Sequence, residues 1–337
     1  VAPVGAVGVG RALEAAPAGR IARSALRAIF VEHAHTALRD GINSGLIPGP
    51  TLHVAGRSIS ITVGHGDSSN NTNRDITETV RTRATNICNG PDDCRRAVRE
   101  QVWKGADVIK ITATGGVLSQ QARGLEAHFT DAEMRAIVDT AHSLGLRVAA
   151  HAHGAEGIRA AVRAGIDTIE HASLIDAEGI RLARERGTWL VMDIFNTDYT
   201  QSEGRRNGIL EDNLRKDREI AQIQRDNFRA AHRAGARMAF GSDAGVMPHG
   251  TQGGQFRYMV EYGMTPMEAI QAATRNAAAA LGREADVGAI AVGRYGDLIA
   301  VAGDPLANVR ELEHVDVVIK GGAVVADRRG ASGTQAR

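Results

Sequence analysis

The chain has 337 residues, 43% of them apolar, and carries 40 basic against 39 acidic side chains for a formal net charge of +1. So much apolar content excludes a disordered chain, and so even a charge balance, with no basic stripe, argues against nucleic-acid binding. No apolar run reaches the ~20 residues of a membrane span, and the length exceeds the roughly 250 residues of one (β/α)8 barrel by enough for one appended element.

Taken in chain order, the opening VAPVGAVGVGR lacks a basic n-region and is only weakly apolar, a poor signal peptide, so the chain reads as cytoplasmic. AIFVEHAH is predicted as a strand ending in His33 and His35, followed by the helix ALRDGINSG and the strand TLHVAG. Cys88 and Cys94 flank a short loop, and so sparse a use of cysteine favours reduced thiols over a small disulfide. From about residue 91 the pattern becomes regular: the helix DDCRRAVREQVWKG, then the strand ADVIKIT. Thr130 with Glu133 forms a capping box that opens a helix running to Gly145. Next come LRVAAHAH, the helix AEGIRAAVRAG, IDTIEHA, the helix DAEGIRLARERG, TWLVMDIF, a charged helix over about 209–235, and RMAFGSDA. The last helix, TPMEAIQAATRNAAAALG, starts with Thr265 and Pro266 in cap and first-turn positions.

Apolar strands without period-two polarity, alternating with helices, predict parallel βα units buried on both faces. Seven strands can be placed, one fewer than a closed (β/α)8 TIM-type barrel needs, so the fold class is α/β with a barrel incomplete on its N-terminal side. Beyond residue 288 the segments AIAVGRYG, DLIAVAG and VDVVIKGGAVV read as a partial β-sandwich with a hairpin turn at Gly321-Gly322. The expected division is a barrel over 1–287 and the β-element over 288–330.

The unusual residues fall at strand ends, where parallel barrels carry their chemistry. Lys110 lies near the end of ADVIKIT, His151 and His153 end LRVAAHAH, His171 ends IDTIEHA, and Asp243 ends RMAFGSDA. Each alone has a plainer reading: a core histidine, a turn-capping aspartate, a snorkelling lysine. Gathered on one rim they suit a metal. A buried lysine loses its proton more easily, and its neutral amine can add carbon dioxide to become a bridging carbamate. Neutral imidazoles suit zinc, and an aspartate can both bind metal and take a proton from water.

The segments GADVIKITATGGVLS, VAAHAHGAEGIRAAVRAGIDTIEHASLID, FGSDAG and the tail GRYGDLIAVAGDPLANV closely resemble the amidohydrolase superfamily. More narrowly they are similar to its imidazolonepropionase-like branch, which includes Xaa-Pro dipeptidases and ochratoxin-hydrolysing amidases. The resemblance covers about 38–325. It implies a carboxylated Lys110, His151 and His171 as metal ligands, and Asp243 as ligand and general base. It places His153 beside the substrate as a second catalytic residue, with His65 and His249 in the substrate pocket. The sequence departs from the family's pattern in lacking the first-strand Pro-Gly-Leu-Ile-Asp-x-His-x-His. His33 and His35 are the candidates to replace those two ligands.

The expected function is cleavage of an amide or peptide C–N bond, in a dipeptide or N-acyl amino acid, by metal-activated water. One or two divalent ions, zinc first among them, would serve as cofactor. Cyclic amides, lactones and organophosphates remain alternative substrates, since pocket loops set that choice. The rival reading is a non-catalytic or weakly active barrel retaining at most one metal. The expected partner is a small-molecule substrate, with neither nucleic acid nor membrane, and a homo-oligomer is compatible.

Overall fold

Short aliphatic runs bounded by polar helices leave the chain one economical arrangement, a parallel sheet covered by helices. The computed structural model shows it, describing residues 34–70, 84–119 and 124–329. Strands β1 (Ile109–Thr112), β2 (Val148–Ala152), β3 (Thr168–His171) and β4 (Trp189–Val191) pair in parallel in that order. The register aligns Lys110, Ala149, Thr168 and Trp189 in one row and, two residues further along, Thr112, His151, Glu170 and Val191 in another. Single parallel bridges extend the sheet on both sides, Ile59 to Ile111 and Ser60 to Ile87 at one edge, Leu190 to Met238 at the other. β1, β2 and β3 are buried along their whole length, as strands covered on both faces must be.

The helices are α1 (Ala34–Asn43), α2 (Pro91–Trp103), α3 (Asp131–Ser143), α4 (Ala155–Ala164), α5 (Ala177–Arg186), α6 (Asn196–Glu203), α7 (Glu211–Arg233) and α8 (Gly254–Glu261), with α9 (Pro266–Gln271) and α10 (Ala277–Ala280) closing the series. The reciprocal bonds of Thr130 and Glu133 start α3, and Thr265 with Glu268 does the same for α9. Glu133 also accepts from Gly90 N at 2.7 Å, tying the start of α3 to that of α2. Between α9 and α10 the chain widens into a π turn, Ala272–Asn276. Ala272 O accepts there from Phe240 N at 3.0 Å, linking this helical segment to the strand that leads to Asp243.

Beyond the barrel, β5 (Leu298–Ala300), β6 (Val317–Lys320) and β7 (Ala323–Asp327) form an antiparallel sheet in that order. Gly321 and Gly322 both have positive φ (57° and 82°), as the tight β6–β7 turn requires.

Four expectations need correction. His35 does not end a strand: it lies in the first turn of α1, because Ala34-His35-Thr36-Ala37-Leu38 joins the helical run that follows it. His33 and the rest of AIFVEHAH up to residue 33 lie outside the described residues. The predicted strand TLHVAG is not laddered; Val54 O accepts from Asp107 N, and the sheet position falls instead at Ile59–Ser60, with Ile87 beside it. AIAVGRYG forms turns, not a strand. Cys88 and Cys94 are joined as a disulfide, both fully buried where α2 begins.

A cavity of about 480 Å³ opens at the N-terminal ends of β1–β3, with His35, His53, Lys110, Arg147 and Arg283 among its walls. α1 is fixed beside it by Arg39, which bonds Gly105 O at 2.6 Å and Asp107 at 2.9 Å.

Candidate metal centre

The opposite ends of the strands gather histidines. Residues two apart on an extended chain share a face, so His151 of β2 and His153, just past its end, project together. His171 is paired in register with Ala152, and strict alternation would turn its ring away. The backbone corrects this. His171 and Ala172 are both left-handed, with φ of 66° and 48°, and Ala172 N donates to Glu170 O at 2.8 Å, closing a tight turn centred on His171. The ring then sits 4.8 Å from that of His151 and 4.7 Å, nearly parallel, from that of His153. Asp243 is left-handed as well, with φ 49°. Such conformations cost of order 1–3 kcal/mol each outside glycine, and here three of them fall at one rim.

One nitrogen or oxygen atom from each of His151, His153 and His171 lies within 4.8 Å of the others, and the same holds for His171, Asp193 and Asp243. His171 thus belongs to both groups. Its Nδ1 bonds Asp193 Oδ1 at 2.8 Å; Asn196 Nδ2 donates to the other oxygen of Asp193 at 2.5 Å, and Gln224 Nε2, from α7, donates to His171 O at 3.2 Å. A carboxylate behind an imidazole fixes its tautomer and raises its basicity toward a metal. His153 Nδ1 pairs with Ser173 Oγ at 2.8 Å, and His151 Nε2 with Gly115 O at 3.2 Å.

His65 completes the nest, its ring stacked 4.4 Å from that of His151. Its buried Nδ1 has no hydrogen-bond partner among the described residues, an observation that calls for a ligand, since buried polar atoms are nearly always bonded. Room for the ring comes from Gly116, where an added Cβ would fall 2.3–2.7 Å from three of the imidazole's atoms. Gly116→Ala is therefore expected to displace His65 and raise KM at least about tenfold, at a stability cost of about 1–3 kcal/mol. Kinetics alongside a urea melt would show it, and unchanged KM would refute the fit.

Electrostatics separates the groups. Burial, reinforced by the neighbouring rings, holds His151 and His153 well below the usual histidine range, and burial takes His65 down to about 4. Burial also disfavours the imidazolium of His171, but the Asp193 carboxylate outweighs it and moves His171 up. A divalent cation would compete with that proton. Lys110 is pushed down by burial, against the pull of Glu170, Asp243 and Asp193, and its amine makes no hydrogen bond among the described residues. Glu170 is pushed up by the same burial, with Lys110 opposing and Thr168 Oγ1 donating to it at 2.6 Å.

The structure therefore brings His65, His151, His153 and His171 together, with Asp243 grouped to His171 through Asp193. Lys110 lies two residues nearer the N-terminal ends than His151, and His249 sits exposed in a turn beyond Asp243, its pKa lowered by partial burial. His35 is at the far end of the strands, in the cavity wall. Sequence reasoning missed Asp193, Ser173 and Glu170. Asp193 had a legible signal, a carboxylate closing the apolar run Trp189-Leu190-Val191-Met192. Among the described residues no helix is long and apolar enough to cross a membrane.

Comparison with known proteins agrees with this geometry. A model of the amidohydrolase family matches residues 24–325. Ochratoxinase of Aspergillus niger is 33% identical over 338 aligned residues, covering 91% of this chain and 68% of that protein. The crystal structure of a Xaa-Pro dipeptidase with methionine in its active site superposes with a TM-score of 0.82 at 36% identity, covering 96% of this chain and 82% of the other. A prolidase complexed with N-methylphosphonate-L-proline gives 0.81 at 30% identity, with coverage of 94% and 82%. The parallel sheet and its helical cover are thus those of a TIM-barrel-type hydrolase, and the chain belongs to the amidohydrolase family and is a hydrolase acting on C–N bonds.

Proposed function

We propose that this protein hydrolyses the amide or peptide bond of a dipeptide or N-acyl amino acid with the help of a bound divalent metal, zinc first among candidates. One observation carries the reading: buried imidazoles held neutral by their surroundings converge at the strand exits beside two carboxylates, Asp193 and Asp243. That donor set fits a zinc-type ion. Lys110, His151, His171 and Asp243 are the residues that would hold it. When bound, the metal supplies Lewis acidity, polarising a carbonyl and lowering the pKa of water. Asp243 would take the proton from the attacking water and hand it to the leaving nitrogen. His65, with its unpaired Nδ1, would bond the substrate.

Two features support a carbamate on Lys110. Its amine is buried and made easier to deprotonate, and the cavity at the N-terminal strand ends reaches it, giving carbon dioxide a way in. The dipeptide or N-acyl class rests on the relatives, a Xaa-Pro dipeptidase, a prolidase and an ochratoxinase.

A second reading, a barrel that binds one metal and turns over little, is favoured by the position of His35. It lines the cavity at the far ends of the strands and brings no further imidazole to the rim. A panel of Xaa-Pro dipeptides, N-acyl amino acids, cyclic amides, lactones and organophosphates, assayed with zinc, manganese and cobalt, decides between the two. The expected outcome is amino-acid release from the first two classes, abolished by chelator and restored by metal. Stoichiometric metal without turnover of any class would establish the second reading.

A further inference from the structure

The loop that carries His65, residues 60–67, is a run of turns beyond its bridge at Ser60. A neighbouring segment, residues 86–89, sets its place. Ser60 N donates to Asn86 O at 3.0 Å and Cys88 N to Ser60 O at 2.9 Å, which seats one end of the loop. Asn86 Nδ2 donates to Ser58 O at 2.8 Å, and Ser60 Oγ accepts from Gly66 N, the residue after His65, at 3.2 Å. Asn89 holds the middle, donating to Thr62 Oγ1 at 2.9 Å and accepting from Thr62 N at 3.3 Å.

That segment is in turn fastened to the start of α2 by the disulfide between Cys88 and Cys94. α2 is itself anchored at this end, through Gly90 N and Glu133 of α3. One covalent bond therefore joins the helical frame to the segment on which the His65 loop hangs. The other ties are side-chain contacts for which water competes. Arg96, its side chain 42% exposed, donates to Thr85 O at 3.2 Å and Ile87 O at 2.9 Å, and Asp93 accepts from Asn89 N at 3.0 Å. Both cysteines are fully buried, but the loop that covers them exposes Asn89 and Asp92 to solvent. The chain has two cysteines in all, so thiol chemistry has a single target.

We propose that the Cys88–Cys94 disulfide is a redox-sensitive strap: when it is reduced, the loop over 60–67 loosens, His65 loses its aim, and substrate binds more weakly. The agent is a dithiol reductant, admitted when the loop over 89–93 opens. Its thiolate attacks one sulfur of the bond, forms a mixed disulfide and expels the other cysteine, which takes a proton. Its second thiol then displaces the first cysteine and closes the reductant's own disulfide. Two electrons and two protons pass to the protein, leaving Cys88 and Cys94 as thiols. Lys110, His151 and His171 belong to β1, β2 and β3, whose mutual pairing does not involve this segment, so the proposed metal holders stay in place.

The effect on substrate rests on His65 facing substrate, as read above, and the test has a readout that does not. The zinc-loaded parent is reduced anaerobically with a water-soluble phosphine, since a dithiol would compete for zinc through its sulfurs. Alkylation and intact mass count the thiols. Amide hydrogen exchange over 60–67, zinc content and steady-state kinetics on the substrate panel are compared before and after. Two thiols are expected, with exchange over 60–67 faster by at least about tenfold. KM should rise about tenfold with kcat and zinc unchanged, as loss of a binding contact requires, and reoxidation should reverse every change. Cys88→Ala/Cys94→Ala should show the same behaviour without reductant and no response to it; if that variant fails to fold, the reduced parent carries the test. Unchanged exchange in protein holding two thiols, or a bond that resists excess phosphine in the folded chain, would overturn the strap whether or not substrate is turned over. Faster exchange with unchanged KM would overturn its link to His65. Turnover absent from every form would overturn the hydrolytic reading and leave exchange to judge the strap.

Discussion

Asp243→Asn is expected to reduce kcat by about 10³-fold, within the range that removing a general acid–base group produces. The substitution keeps the size and left-handed backbone of the position, since asparagine tolerates φ near +50°, and so leaves the turn formed by Asp243 O and Val246 N intact. What it removes is the ability to hold and release a proton. Zinc content should fall only in part, because Lys110, His151 and His171, the other proposed holders, persist. Steady-state kinetics at saturating metal, with zinc measured in the same sample, checks this. A variant with full activity would show that the proton travels through another group, Asp193 being the one at hand.

Lys110→Met should produce the other large effect, and its two readouts move in opposite directions. Activity is expected to drop at least about 10²-fold, because the variant cannot form the carbamate proposed on Lys110 as a metal donor. Stability should hold or rise. The lysine is 6% exposed and its pKa is depressed by burial, so between its folded and unfolded values the native protein binds fewer protons than the unfolded chain. By linkage, stability then falls as pH drops below the unfolded lysine value and through the folded one. Methionine of similar volume is free of that cost. Urea denaturation at pH 7 and pH 9.5 would reveal it: the parent gains stability between the two pH values relative to the variant. A Lys110→Met protein that is both less stable and fully active would mean the amine is structural.

The βα alternation from residue 91 to residue 282 was legible because it rests on local rules: capping boxes at Thr130 and Thr265, left-handed glycines at helix ends, aliphatic runs too short for helices. Placing His151, His171 and Asp243 at strand exits followed from the same reading. The errors arose where local signals compete. AIFVEHAH has strand-like composition, but its last residues join a better helix former. TLHVAG and SISIT are both β-prone, and only pairing with β1 decides between them, putting Ile59 in the ladder. The Cys88–Cys94 bond depends on how the loop brings two buried side chains together, which composition cannot show. Asp193 escaped because its role is to support a ligand on another strand, a relation that exists only once β3 and β4 are side by side.

The left-handed residues at the rim also bear on how the protein can be improved. Relieving backbone strain is a common way to raise a melting temperature, and Ala172, an ordinary residue at φ 48°, is the obvious place to insert glycine. Yet Ala172 follows directly on His171, and its amide closes the turn that swings that ring inward. A chain loosened there would be sturdier on heating and less faithful in aiming its imidazole. Directed evolution for heat resistance and for turnover should therefore diverge at this one peptide, and variants selected under both demands should leave it alone.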